Sequence, residues 1–379
     1  MLKNLTSRLP LPVTVLALGW VILGNILKDI IPLLSDICMI ISMMLLIITI
    51  LKIVLSPRGF YKGIKSPAGL SMFSSFSMSL MLISVWMKGF LGKANIYIWI
   101  IGVILHTVIL IVFTIKYVLN FKIKYVFSSW FLVYSGIGIA AITCNDFGMI
   151  VFGRSVLKFT VFVSLLILPF VLARLKIMGS TQAAKPIFSL ICVPLGIIVP
   201  AMVSINEPAS SKVMWAMFIA IQILLLVVII DMLIHLFMGF YPSWSCYTVA
   251  IAISVYSSMY FNKYLAMVKM RNYFVESLLY FEYVLAFVVC SIVLLAYFIN
   301  TLEDPEVHKK KLHDKAINEK RIREKKIKEK MLAVRNKKYG SKKDSMLEKS
   351  NLTKVKTDFG QTKTLFEDDD IDEISDLLD

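Results

Sequence analysis

The chain has 379 residues, 58% of them hydrophobic, with a mean hydropathy of +0.76 and a formal net charge of +16. Soluble domains sit near about 45–50% apolar, so this composition excludes an ordinary soluble domain. Residues 1–300 hold 21 Lys+Arg against 7 Asp+Glu, and residues 301–379 hold 20 against 18, so the two parts are made for different solvents.

Apolar segments lie near 11–27, 30–54, 68–87, 95–115, 125–144, 149–173, 186–205, 213–239, 243–261 and 277–299. A hydrocarbon layer of roughly 30 Å takes about 20 residues of helix. The pattern therefore predicts an all-α, polytopic membrane protein of about ten transmembrane helices. Residues 1–302 form the membrane domain and 303–379 a charged cytoplasmic tail. The first apolar run follows only Lys3 and Arg8 and leads straight into further spans, so it reads as a retained helix. Cys38, Cys144, Cys192, Cys246 and Cys290 fall in or beside apolar segments without a CxxC pair, as small buried hydrophobes do.

If the N-terminus lies inside, the inner loops carry twelve bases and the outer loops nine. This bias predicts a multi-pass protein of the cell membrane with both termini in the cytoplasm. Lys263, Lys269 and Arg271, in the last outer loop, pull the other way.

The odd-numbered spans open on related text: Arg8-Leu-Pro10, Lys65-Ser-Pro67, Lys124 to Trp130, Lys185-Pro186 and Tyr241-Pro242-Ser-Trp244. Their starts are separated by about 56 to 61 residues, the length of one helical hairpin. Five hairpin repeats would set five odd helices inside and five even helices outside, around a central pore. A second reading is that Pro and Lys simply recur at helix ends. Arg8, Lys65, Lys124 and Lys185 would ring the cytoplasmic mouth of such a pore, beside the positive ends of the odd helices. The positive-inside rule alone would also place bases there.

In the tail, residues 305–343 hold 16 Lys+Arg and 5 Asp+Glu, and Ile317, Ile322 and Ile327 recur every five residues, which is not a heptad. Residues 367–379 hold eight acids and no base. An exposed basic helix followed by a disordered acidic end is expected, able to bind anionic lipid or a cytoplasmic partner, or simply solvated.

Chemistry is sparse. His106, His235, His308 and His313 are the histidines, and HExxH, Walker A and GxSxG patterns are absent from the sequence. No enzyme, cofactor, metal site or nucleic-acid partner is expected. Asp231 and His235, four apart on the eighth span, and Glu282 on the tenth read as structural or interfacial groups, although intramembrane ionisable residues are functional suspects by default.

Five stretches carry a resemblance. They are RLPLPVTVLALGWVILGN (Arg8 to Asn25), SFSMSLMLIS (Ser75 to Ser84), SWFLVYSGIGIAAIT (Ser129 to Thr143), Lys185 to Pro194, and YPSWSCYTVAIAIS (Tyr241 to Ser254). In order and content they resemble the tellurite-resistance/dicarboxylate transporter family, which includes the slow-type anion channels. The resemblance covers residues 8–300 and implies a ten-helix bundle, often trimeric, whose odd helices line an anion pore. It also implies a blocking aromatic on the ninth span, at a position held here by Val249. The third-span Phe-Pro of the family falls on Phe76 and Ser77, so that proline is lost. Phe76, Trp130 and Trp244 are the other candidates for the constriction, and Ser75, Ser79, Ser243, Ser245 and Thr248 are candidate pore-lining polar groups. The function expected is passive or secondary transport of small inorganic or organic anions. The alternatives are a proton- or sodium-coupled carrier of small organic acids such as dicarboxylates, and a non-transporting membrane scaffold with a degenerate pore.

Overall fold

The computed structural model of the protein describes residues 9–178, 181–236 and 239–302, together with Ile317, and among them all regular structure is helical. Ten segments carry the fold. They are α1 (Val13–Leu27), α2 (Pro32–Leu55), α3 (Pro67–Trp86), α4 (Lys88–Val118), α5 (Trp130–Phe147), α6 (Ile150–Ile177), α7 (Lys185–Ser204), α8 (Ser211–Leu236), α9 (Ser245–Met267) and α10 (Tyr273–Leu302). Eight of them, α2 to α8 and α10, are long and apolar enough to cross a membrane. Of the other two, α1 is apolar but only 15 residues long, and α9 is diluted by Ser, Thr, Tyr, Asn and Lys. Arg8 and the expected basic and acidic stretches of the tail lie outside the described residues.

Proline marks helix starts here. Pro32, Pro67 and Pro186 stand in the first turn of α2, α3 and α7, where a missing N–H costs nothing. Ser66 caps α3 by accepting from the Gly69 N–H at 3.0 Å. α3 runs unbroken over its 20 residues, Ser77 included. By contrast, α5 alternates short α and 3-10 turns, and α7 opens on a 3-10 stretch, Lys185–Cys192.

Burial separates the helices into two sets. The most apolar windows of α2, α4, α6, α8 and α10 are only 28–39% buried, whereas those of α3, α5 and α7 are 78–89% buried. In α1, 14 of 15 residues are buried, and in α9, 18 of 23. The even helices are inside-out by soluble standards. On α2 the exposed face reads Ile37, Ile40, Met44, Ile47, Ile50 and Val54, while the buried face includes Ser35, Ser42, Thr49 and Lys52. An apolar face at helical spacing, turned outward, is what hydrocarbon solvent selects.

The buried helices close on one another: α1 packs against α3, α3 against α5, α5 against α7, α7 against α9, and α9 against α1. Around this ring, α2 lies on α1, α4 on α3, α6 on α5 and α7, and α8 on α9. Trp20 of α1 meets Phe287 of α10 edge-on at 6.5 Å.

Small residues let the ring close. A Cβ on Gly19 of α1 would stand 2.5 Å from Thr248 Oγ1 and 3.2 Å from the Thr248 carbonyl carbon on α9, and one on Gly196 of α7 would meet the Ile253 carbonyl oxygen at 3.0 Å. Gly19→Ala is therefore expected to destabilise the fold by about 1–3 kcal/mol. The loss should be partly recovered in Gly19→Ala/Thr248→Gly, read as the melting temperature of the solubilised protein. An unchanged melting temperature in the single variant would contradict the close approach of α1 and α9.

Contacts also sort the helix ends. At one end, Lys52 of α2 donates to the Leu9 carbonyl, Tyr117 of α4 to the Lys65 carbonyl, Ser243 to the Ala183 carbonyl, and Tyr297 of α10 to the Pro242 carbonyl. All five odd helices start at this end. At the other, Lys263 of α9 stands 3.6 Å from Asp29, Asn145 donates to the Ser204 carbonyl at 3.5 Å, and Arg154 meets Glu207 at 2.6 Å. The Arg154–Glu207 partners are 49% and 44% exposed, so Arg154→Ala should cost less than about 1 kcal/mol. A larger fall in melting temperature would mean that this pair is shielded from water.

Candidate functional site at the axis of the helix ring

At 3.6 residues per turn, the contacts of α9 assign its faces. Tyr247 donates to Asp231 Oδ2 of α8 at 2.6 Å, and Ser258 accepts from Gln222 of α8 at 2.8 Å, so that side faces outward. Thr248 faces α1 at Gly19, and Ile253 faces α7 at Gly196. The face left over, turned to the ring interior, carries Val249, Ala252 and Tyr256. On α1, Thr14 donates to the Met72 carbonyl of α3, Gly19 meets α9, and the Ala17 carbonyl accepts from Ser42 of α2. Its inward face therefore carries Val15, Leu18 and Ile22. Of these six side chains, five have no exposure at all and Tyr256 is 3% exposed. The axis is filled with apolar side chains and is dry at this level.

Tyr256 continues into a polar end. Its ring lies 5.0 Å from that of Tyr260, and the two hydroxyls are 3.5 Å apart. The Lys263 ammonium stands 4.9 Å above the Tyr260 ring and reaches Asp29.

Of the four expected constriction residues, Val249 comes to the axis and is fully buried. Phe76 stacks on Phe73 at 5.6 Å, and Phe73 meets Phe60 of the short helix Pro57–Gly63, so this column lies on the outer flank of α3. Trp130 packs edge-on against Phe113 of α4 at 5.2 Å and donates to the Tyr125 carbonyl at 2.7 Å, away from the axis. Trp244 stands at the start of α9 against Phe240, 5.8 Å between ring centres.

All five expected polar lining residues are buried, and each hydroxyl donates to a backbone carbonyl. Ser75 bonds Met72, Ser79 bonds Ser75, Ser243 bonds Ala183, Ser245 bonds Pro242 and Thr248 bonds Ser245. Ser75 also donates to Thr14 Oγ1 across the α1–α3 seam at 3.0 Å. Lys65, Lys124 and Lys185 all lie at the end where the odd helices start, with Lys65 5.3 Å over the Tyr61 ring and Lys124 5.9 Å over that of Tyr125. A small cavity of about 10 Å³, roughly the space of one water, opens at the same end beside Ser128, Arg174 and Phe188. The Arg174 guanidinium lies 4.5 Å over Phe127.

Two groups escaped the sequence. His106 of α4 is fully buried, with Nδ1 2.9 Å from Ser77 Oγ of α3 and Nε2 2.9 Å from the Val133 carbonyl of α5. Tyr256 sits seven residues after Val249, on the same face two turns on, and that spacing was the available signal. Asp231 and His235 act as a tie between α8 and α9 through Tyr247, with His235 Nδ1 3.3 Å from Asp231 Oδ1. Among the described residues no cluster of His, Cys, Asp and Glu fit to hold a metal is present. Compared with family models and with curated proteins, the chain matches none.

Proposed function

We propose that the protein conducts small anions across the cell membrane, along a path through the ring formed by α1, α3, α5, α7 and α9. The observation that carries this reading is the closed ring of five buried helices, all starting at one basic end. Helix N-termini present partial positive charge, and five of them at one mouth, with Lys65, Lys124 and Lys185 beside them, attract anions and repel cations. Five of the seven carboxylates of residues 1–300, Asp29, Asp36, Asp146, Glu207 and Glu276, lie in or beside the segments at the opposite end, among nine bases, while Asp231 is tied to Tyr247 at the basic end. The positive-inside bias then puts the basic end and both termini in the cytoplasm. In this reading all ten helices cross the membrane as five hairpins, α1 and α9 being shielded from lipid by the even set. Their shortness and polarity are then no obstacle. The resemblance of residues 8–300 to the tellurite-resistance/dicarboxylate transporter family supports the same conclusion, and a trimer would place further copies against the outward apolar faces.

The dry axis at Val249 and Tyr256 makes the described state a closed one. Val249→Phe adds volume to a packed axis. Chloride or nitrate conductance of the purified protein in a planar bilayer should fall by about tenfold, the effect of about 1.4 kcal/mol on a barrier. If neither protein conducts under any anion gradient, the open-channel reading fails, leaving a coupled carrier or a scaffold. The coupled carrier is the second reading, and Glu282, a buried carboxylate within α10, is the observation that favours it.

A further inference from the structure

The cavity beside Ser128, Arg174 and Phe188 lies where the outer helix α6 meets the starts of α5 and α7. Its volume of about 10 Å³ is the space of one water-sized particle. The side chains that line it are apolar apart from two, Ser128 and Arg174. Arg174, in the last turn of α6, is 7% exposed and lays its guanidinium over the Phe127 ring. Ser128, two residues ahead of α5, is 3% exposed, and its Oγ has no hydrogen-bond partner among the described residues.

Both polar groups can donate into the cavity. The guanidinium keeps its positive charge at every working pH and offers five N–H groups, more than a single acceptor uses. The buried Ser128 hydroxyl gains a bond only from an occupant of the cavity. A water there would find one side-chain acceptor, Ser128 Oγ, for its two hydrogens. An anion needs donors alone, and the charge of Arg174 favours it over a neutral molecule. The small volume excludes carboxylates, phosphates and other polyatomic anions, whereas a halide is close to water in size. We propose that this cavity is a binding site for a single halide ion, chloride or bromide, held between the Arg174 guanidinium and the Ser128 hydroxyl. The site lies in the seam between an outer helix and the ring, to one side of the axis. Its occupant fastens the end of α6 to the starts of α5 and α7, whether or not anything passes along the axis.

The test uses the full chain in detergent or nanodiscs and needs no transport, so its outcome is independent of whether the protein conducts. The melting temperature is followed while sodium chloride replaces sodium gluconate, whose anion is too large for the cavity, at constant ionic strength. Chloride should raise the melting temperature of the wild type saturably, and bromide should do the same. Ser128→Ala, which leaves the net charge unchanged, should raise the half-saturating chloride concentration about tenfold. Arg174→Gln should remove the difference between chloride and gluconate. Equal melting in the two salts would overturn the proposal. So would an unchanged half-saturation in Ser128→Ala, which would assign the effect to the basic surface at large. If Arg174→Gln does not fold, Ser128→Ala carries the comparison.

Discussion

Tyr256→Ala is expected to raise anion flux through the protein by about ten- to a hundredfold, the effect of about 1.4–2.7 kcal/mol removed from a barrier. Tyr256 faces the ring interior two turns beyond Val249 and stands against Tyr260, where the axis passes from apolar filling to the polar end at Lys263 and Asp29. Val249 is small, and two turns later the same face carries the ring of Tyr256, 3% exposed. Truncation leaves a void the size of a phenol ring. Unlike a void lined wholly by aliphatic groups, this one would have the Tyr260 hydroxyl at its edge, and water could enter. The measurement is chloride or nitrate efflux from proteoliposomes, with Tyr256→Phe as the companion. If the ring is what blocks the path, Tyr256→Phe stays near wild type while Tyr256→Ala leaks. Equal flux in all three would place the block elsewhere, and a gain in Tyr256→Phe would assign it to the hydroxyl pair.

His106→Ala is expected to destabilise the protein by about 2–4 kcal/mol, combining a cavity with the loss of two buried hydrogen bonds. A backbone carbonyl can only accept, so the Val133 contact fixes the proton on Nε2. Nδ1 then accepts from Ser77, whose hydroxyl proton is shared with the Ser74 carbonyl 2.7 Å away. One imidazole thus joins three helices at a depth where no water can replace its partners. Thermal unfolding of the solubilised protein checks this. His106→Gln, which keeps a donor and fills more of the space, should recover part of the loss. A His106→Ala protein as stable as wild type would show that the three helices hold together without it.

The positions of most helices were legible from hydropathy, because lipid contact demands long apolar runs. The boundaries of α2, α3 and α7 agree with the expected spans to within two residues. The even helices were the plainest, since their exposed faces must be apolar. The buried helices α1 and α9 were harder: packed against other helices on nearly all sides, they are free to be short or rich in Ser, Thr and Tyr. What a linear pattern could not deliver was the direction of aromatic side chains. Trp130 and Phe76 belong to buried helices, yet their rings pack against Phe113 and Phe73, away from the axis, because an aromatic is placed by the nearest gap of its size rather than by the helix it belongs to. His106 stood in the sequence only as one of four histidines, and its partners come from α3 and α5, which no local spacing brings together.

The hydroxyls of α3 hold one more lesson. All six serines of Pro67–Trp86 donate to carbonyls three or four residues back in the same helix: Ser71 to Ala68, Ser74 to Ser71, Ser75 to Met72, Ser77 to Ser74, Ser79 to Ser75 and Ser84 to Met81. Each hydroxyl is thus satisfied within the helix that carries it. The same helix is also tied to its neighbours: Ser71 reaches Ser129 ahead of α5 at 2.6 Å, Ser75 reaches Thr14 of α1 at 3.0 Å, Ser77 meets His106 of α4 at 2.9 Å, and the Ser84 carbonyl accepts from Asn95 of α4 at 2.9 Å, so satisfied internal polarity and interhelical fastening are carried by the same small side chains.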